Sequence, residues 1–126
     1  MARYEHLPIY KKAIELAVYI QQVVRSFSRY NKYSIGTELR ELSRSAILLI
    51  IKANSHRDKS RILPQLVETC EMLKTSIVFA KEVKAFASFK SFQHASSLAV
   101  VLCKQSEGWL KSSRRSENHQ PAIKDG

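Results

Sequence analysis

Glycine and proline are scarce in this chain, with three of each among 126 residues. That scarcity leaves little material for the tight turns that join β-strands, and neither strand alternation nor an internal repeat is present. Cysteine is confined to Cys70 and Cys103. The pair lacks the Cys-x-x-Cys or Cys/His spacing of a metal site, and one bridge would add little to a chain of this size in a reducing compartment. No apolar run continues for ~18 residues without a charge, the length a membrane span needs. The first residues, MARYEHLPIYKK, lack the apolar stretch of a secretory signal. A soluble, cytoplasmic protein is the expectation. Acidic residues are few as well: 11 stand against 21 Lys and Arg, for a formal net charge of +10.

Apolar residues are not lacking, at 44% of positions, so the chain is long and apolar enough for one compact core and is not a disordered basic tail. Ile9, Ala13, Leu16, Ala17, Ile20, Val24 and Phe27 recur at steps of three and four, which predicts a helix over about 8–27 with Pro8 suited to its first turn. SRYNKY at 28–33 reads as a polar connection. Ser34 then suits the cap of a second helix, with Glu38 and Glu41 near its positive end and Ile35, Leu39, Leu42, Ala46, Leu49 and Ala53 as its stripe. The polar run NSHRDKS ends it. Leu63, Leu66, Cys70, Leu73, Ile77 and Ala80 mark a third helix over about 59–86, with Pro64 tolerable only near the helix start. Phe92, Ala95, Ala99, Leu102, Ser106 and Trp109 mark a fourth, from Ser88 or Ser91 to Ser113, weakened near its end by Gly108. Residues 114–126 are polar and without period, and read as a disordered tail after a single domain over 1–113.

Four amphipathic helices of about 20–27 residues with short connections bury their stripes by packing antiparallel. The fold class predicted is all-α, an up-down-up-down four-helix bundle. Further apolar residues, Tyr10, Ile14, Val18 and Tyr19 on the first helix and Ile47, Ile50 and Ile51 on the second, suggest a second face covered by another subunit. A homo-oligomer is expected on that ground, with a thicker core as the alternative.

The positive charge is concentrated. Residues 25–61 hold nine basic side chains against three acidic ones, more than half of the net excess. Arg25, Arg29 and Lys32 belong to one end of such a bundle, with Tyr30 and Tyr33 between them. Lys52, Arg57, Lys59 and Arg61 belong to the other end. Arg40 and Arg44, four apart on the second helix, project together between the two. These nine form a candidate strip for binding RNA or DNA through phosphates, without sequence readout. Tyr30 and Tyr33 are expected to pack within their loop rather than to stack on bases.

Catalytic patterns are missing. No Glu-x-x-His pair, phosphate-cradling glycine loop, Gly-x-Ser-x-Gly or His-Glu-x-x-His occurs, so no metal or cofactor is expected. His6, His56, His94 and His119 are isolated and read as surface residues. Arg114 and His119 have the spacing used by helical-bundle ribonucleases of the HEPN type, but in a tail nothing would hold them. Cys70 and Cys103 lie on the stripes of adjacent helices at comparable heights and are read as small hydrophobes near one another.

Certain stretches are similar to a known family. Pro8-Ile-Tyr10-Lys-Lys-Ala, Tyr30-Asn-Lys-Tyr33-Ser-Ile-Gly36-Thr-Glu-Leu-Arg40 and Ile50-Ile-Lys-Ala-Asn54 resemble the four-helix-bundle proteins encoded by intervening sequences in large-subunit ribosomal RNA. With Lys84-Ala-Phe86 and Gly108-Trp109-Leu110-Lys111, the chain resembles more closely the branch found in diversity-generating retroelements, the accessory variability determinant proteins. The similarity covers roughly residues 4–113. It implies a barrel-like homopentamer without enzymatic activity that associates with a reverse transcriptase and with RNA or DNA during mutagenic cDNA synthesis. Lys32, Tyr33, Gly36 and Arg40 match the signature turn into the second helix, and Trp109 matches the last helix. Gly36 is expected to permit close packing, and Trp109 to serve the core or a subunit contact. Two other readings stand beside this one: a nucleic-acid-binding bundle without a polymerase partner, and a small HEPN-type ribonuclease.

Overall fold

In the computed structural model, which describes residues 3–118, all the regular structure is helical. A 3-10 turn at Tyr4–His6 precedes α1 (Pro8–Val24), α2 (Arg29–Lys32), α3 (Ile35–Ser55), α4 (Ile62–Glu82) and α5 (Phe89–Asn118). Among the described residues there is no strand. The four long helices form a ring: α1 packs on α3, α3 on α4, α4 on α5, and α5 closes on α1.

Their directions follow from single contacts. Glu38, at the start of α3, accepts a hydrogen bond from the Ser76 hydroxyl late in α4, at 2.7 Å. Tyr19, late in α1, meets His94 early in α5 with ring centroids 4.5 Å apart. Each neighbour therefore runs opposite to the last. The six-residue connections from α3 to α4 and from α4 to α5 reach only about 20 Å when extended, whereas a 21-residue helix is ~31 Å long, so length also excludes parallel neighbours there. The predicted stripes fill the middle: Leu16, Ile20, Leu39, Leu63, Leu66, Leu73, Ile77 and Leu102 are fully buried. Burial of such residues at ~1.5–3 kcal/mol each supplies the main drive for folding.

Helix ends differ from the periodic reading where local hydrogen bonds intervene. α1 gives way after Val24 to the tighter i−3 backbone bonds of a turn, Ser26 N–H to the Val23 carbonyl at 3.0 Å and Phe27 N–H to the Val24 carbonyl at 3.1 Å, while Phe27 remains buried beyond the helix. The expected polar connection at 28–33 contains the one-turn α2, whose cap is the Ser28 hydroxyl accepting from the Asn31 amide at 3.4 Å. Ser34 precedes α3 as expected but does not cap it, since its hydroxyl donates to the Tyr30 carbonyl at 2.7 Å. α3 ends at Ser55 rather than Ala53.

The third predicted helix is too long at both ends. α4 closes at Glu82 through two backbone bonds, Ala85 N–H to the Ala80 carbonyl and Lys84 N–H to the Lys81 carbonyl, both 2.9 Å. Lys84 takes the left-handed conformation, φ 62°, that this closure needs and that glycine usually supplies. Ser88 then caps α5, its hydroxyl accepting from the Ser91 amide at 3.1 Å. α5 continues past the expected end at Ser113 to Asn118, so residues 114–118 are helical where a disordered tail was expected. Arginine is a good helix former, and Arg114 and Arg115 suit the negative end of a helix dipole. Residues 119–126, including His119, lie outside the described residues.

The second apolar face shrinks. Ile50 is fully buried and belongs to the core, and Tyr19 is occupied by α5, its hydroxyl 3.5 Å from the Ser91 carbonyl. Tyr10 and Ile47 are partly buried and packed on the core. Val18 and Leu48 remain exposed, with Ile14 and Ile51 half-buried beside them. Among the described residues no helix is long and apolar enough to cross a membrane.

Candidate nucleic-acid interface

The antiparallel ring gives the bundle two ends of different make-up. One end, here the turn end, gathers the close of α1, all of α2, the α4–α5 connection and the first turn of α5. The other, the open end, gathers the 3-10 turn, the α3–α4 connection and the last turns of α5.

Arg25 lies at the close of α1, and Arg29 and Lys32 lie on α2, so these three share the turn end; Arg25 and Arg29 are exposed and Lys32 is half-buried. Lys52 in the last turn of α3 and Arg57, Lys59 and Arg61 in the following connection share the open end. Lys59 donates to the His56 carbonyl. Asp58 lies among them, its carboxyl held below the usual range first by the Ser60 backbone amide at 3.0 Å, then by the Ser60 side chain and the charge of Arg61. This anion lowers the charge of the open end.

Arg40 and Arg44 stand between the ends but are not equivalent. Arg40 is half-buried and its Nη2 donates to Thr37 Oγ1 at 3.3 Å, while Arg44 is exposed. Glu41, exposed on α3, lines the same shallow depression as Arg44. The nine cations are thus two end clusters about a helix length apart with two arginines between them, rather than an unbroken strip. The ion pairs among the described residues, Lys12–Glu15, Lys74–Glu71 and Lys81–Glu82, leave all nine out.

Charge counting by contiguous segment misses Lys84 and Lys90. Both are exposed at the turn end beside Arg25, Arg29 and Lys32, although some fifty residues separate them in the chain. The available signal was the pairing of predicted helix ends rather than charge density along the chain.

Tyr30 and Tyr33, expected to pack in their loop, are 81% and 69% exposed, and Phe89 at the start of α5 is 62% exposed. The exposure has a local cause: α2 is a single turn with no buried residue, and Tyr33 follows directly after it, so neither tyrosine reaches the core. Phe89 belongs to a run of rings, with centroids 5.5 Å to Phe92, 5.9 Å from Phe92 to Phe86, and 5.4 Å from Phe86 to the buried Phe27. Gly36 holds α3 against this end. A Cβ there would lie 2.8 Å from Val24 Cγ1 and 3.0 Å from the Asn31 carbonyl oxygen, the close packing its position suggested. At the open end Trp109 is partly buried and packed on the core, facing Leu7, Pro8 and Ile9.

Neither cysteine is placed for chemistry. Cys70 and Cys103 are buried and unbridged, and burial pushes their thiols up to about 11 and about 12. Arg114 is exposed on α5, and its proposed partner His119 lies outside the described residues. No group of three or more His, Cys, Asp or Glu among the described residues is placed to hold a metal.

No curated protein matches the chain. A family model described as bAvd-like matches residues 7–113, a range that takes in all four long helices up to the late turns of α5 and every stretch that resembles the accessory variability determinant proteins, from Pro8 to Lys111. Coverage of this extent, on an all-helical ring with its glycine-crowded turn at Gly36, makes the chain a member of the bAvd-like family.

Proposed function

We propose that this protein is a non-catalytic accessory factor of a diversity-generating retroelement, binding its reverse transcriptase together with template RNA and cDNA. The observation that carries the reading is the bAvd-like match over residues 7–113 on a chain whose nine candidate cations stay outside the ion pairs among the described residues. Unpaired Lys and Arg meet phosphates and release counterions, which supplies affinity without sequence readout. In this mechanism the protein holds nucleic acid near the polymerase and performs no bond chemistry itself.

The reading includes a homo-oligomer, a pentamer by family resemblance. Exposed Val18 and Leu48, with half-buried Ile14 and Ile51, leave apolar surface on the outer sides of α1 and α3 that a second copy would cover. Five copies would carry roughly +50, and self-repulsion on that scale is offset by a polyanion.

Co-purification with the reverse transcriptase of the same element, followed by mass measurement, tests the partner and the subunit number. A stable complex is expected; failure to co-purify would leave only a nucleic-acid-binding bundle. For the charges, Arg40→Glu with Arg44→Glu should weaken RNA or DNA binding ~10-fold or more at low salt and flatten its salt dependence, with helical content unchanged. Unaltered binding would refute the role assigned to these two arginines.

A further inference from the structure

We infer that the turn end of the bundle is a stacking surface for unpaired bases, so that the protein takes single-stranded nucleic acid in preference to duplex. The inference rests on the nucleic-acid reading above and narrows it to one strand state and one place.

Three rings, Tyr30, Tyr33 and Phe89, stand in solvent at this end. Phe89 is held from behind, and the backbone that carries Tyr30 is fixed by hydrogen bonds. Ser28 caps the turn that carries Tyr30, and the Ser34 hydroxyl fixes the Tyr30 carbonyl. Phe89 is backed by the run of rings that ends in the buried Phe27. A ring that is already ordered loses little freedom when a flat partner settles on it.

Tyr30 also walls a groove of about 450 Å³, with Phe79 and Val83 as its apolar side and Asn31, Ser34 and Glu38 as its polar side. A nucleobase has matching parts, two flat apolar faces and an edge of hydrogen-bonding groups. Glu38 already accepts from Ser76 and has acceptor capacity left for an exocyclic amine. Its negative charge disfavours phosphates in the groove itself, while elsewhere at the same end Arg25, Arg29, Lys32, Lys84 and Lys90 supply five exposed or half-buried cations.

Rings beside unpaired cations distinguish single strands from duplex. Both forms gain from the cations, but only a single strand can lay bases on the rings, because duplex bases stack on one another. The charge complementarity also favours a polyanion over an apolar protein segment. The open end has a comparable set of cations, yet Tyr4, Tyr10 and Trp109 there are only partly exposed.

Fluorescence anisotropy with a labelled, unstructured RNA 15-mer, the DNA strand of the same sequence and the corresponding DNA duplex tests this. Wild type is expected to bind either single strand ~10-fold or more tightly than duplex. Tyr30→Ala with Tyr33→Ala and Phe89→Ala should lose ~10- to 100-fold for single strands. Duplex affinity and the salt slope should be unchanged in that variant, since no charge is removed. Tyr30→Phe with Tyr33→Phe should retain binding. If the triple variant does not fold, the Tyr30→Ala/Tyr33→Ala pair, which leaves the phenylalanine run complete, carries the test.

Single-strand binding within about 2-fold of wild type, or an equal loss for duplex, would overturn the stacking surface while leaving the electrostatic reading in place. A fall in native mass would also overturn it, by assigning the rings to a subunit contact. Absence of binding to any probe by wild type would instead remove the parent reading.

Discussion

The turn end and the open end are both basic, but they are built by different means. At the turn end, α1 and α3 meet so closely that Gly36 has no room for a side chain. A left-handed lysine closes α4, and four phenylalanines link the α4–α5 connection to the end of α1. At the open end, the α3–α4 connection is held by the Asp58–Ser60 turn and by contacts of His56 and Lys59 with nearby carbonyls. Gly108 has nothing within 4 Å of where its Cβ would be. Charge alone is a cheap surface property that both ends possess. An exposed ring with other rings packed behind it is found at the turn end, in Phe89, whereas Trp109 at the open end is itself partly buried.

Substitutions that separate the two ends test this contrast. Phe27→Ala should have the largest effect, a loss of about 3–5 kcal/mol, because it removes a buried ring and the inner member of the run behind Phe89. Chemical denaturation reads it, and a loss under ~1 kcal/mol would mean the run bears little of the packing.

Gly36→Ala comes next, with an expected cost of about 1–3 kcal/mol from overpacking against Val24 and the Asn31 carbonyl. At the open end Gly108→Ala should act in the opposite sense and stabilise by ~1 kcal/mol, since the helix gains propensity and the added methyl meets nothing. Equal signs in the two alanine variants, measured side by side by thermal unfolding, would abolish the contrast in packing.

Lys84→Gly should have the smallest effect, stabilising by up to ~1 kcal/mol by relieving a left-handed side chain. An unchanged melting temperature would show that Lys84 holds this backbone without strain.

Much of the ring of helices is legible in the amino-acid order, because stripes such as Leu63, Leu66, Cys70, Leu73 and Ile77 repeat with the helix period whatever surrounds them. Its boundaries are less so. Ending α4 at Glu82 depends on Lys84 adopting a conformation that lysine does not advertise, and a glycine there would have marked the stop. Ile50 reads as surface or core equally well until the tilt of α3 is known. For the candidate interface, the nine cations are visible as a dense segment, but Lys84 and Lys90 join them only through folding. The exposure of Tyr30 and Tyr33 depends on α2 being a single turn with no buried residue, which periodicity over four residues cannot express.

The buried cysteines have a practical consequence. Burial pushes the Cys70 thiol up to about 11, so it stays protonated near neutral pH, and the thiolate is the form that reacts. Cys70 and Cys103, shielded on facing helices, should stay silent toward maleimides while the bundle is folded. A cysteine introduced at an exposed position of either end would then be the sole reactive handle. Distances from each end to a bound strand could be measured by fluorescence without first removing the native thiols.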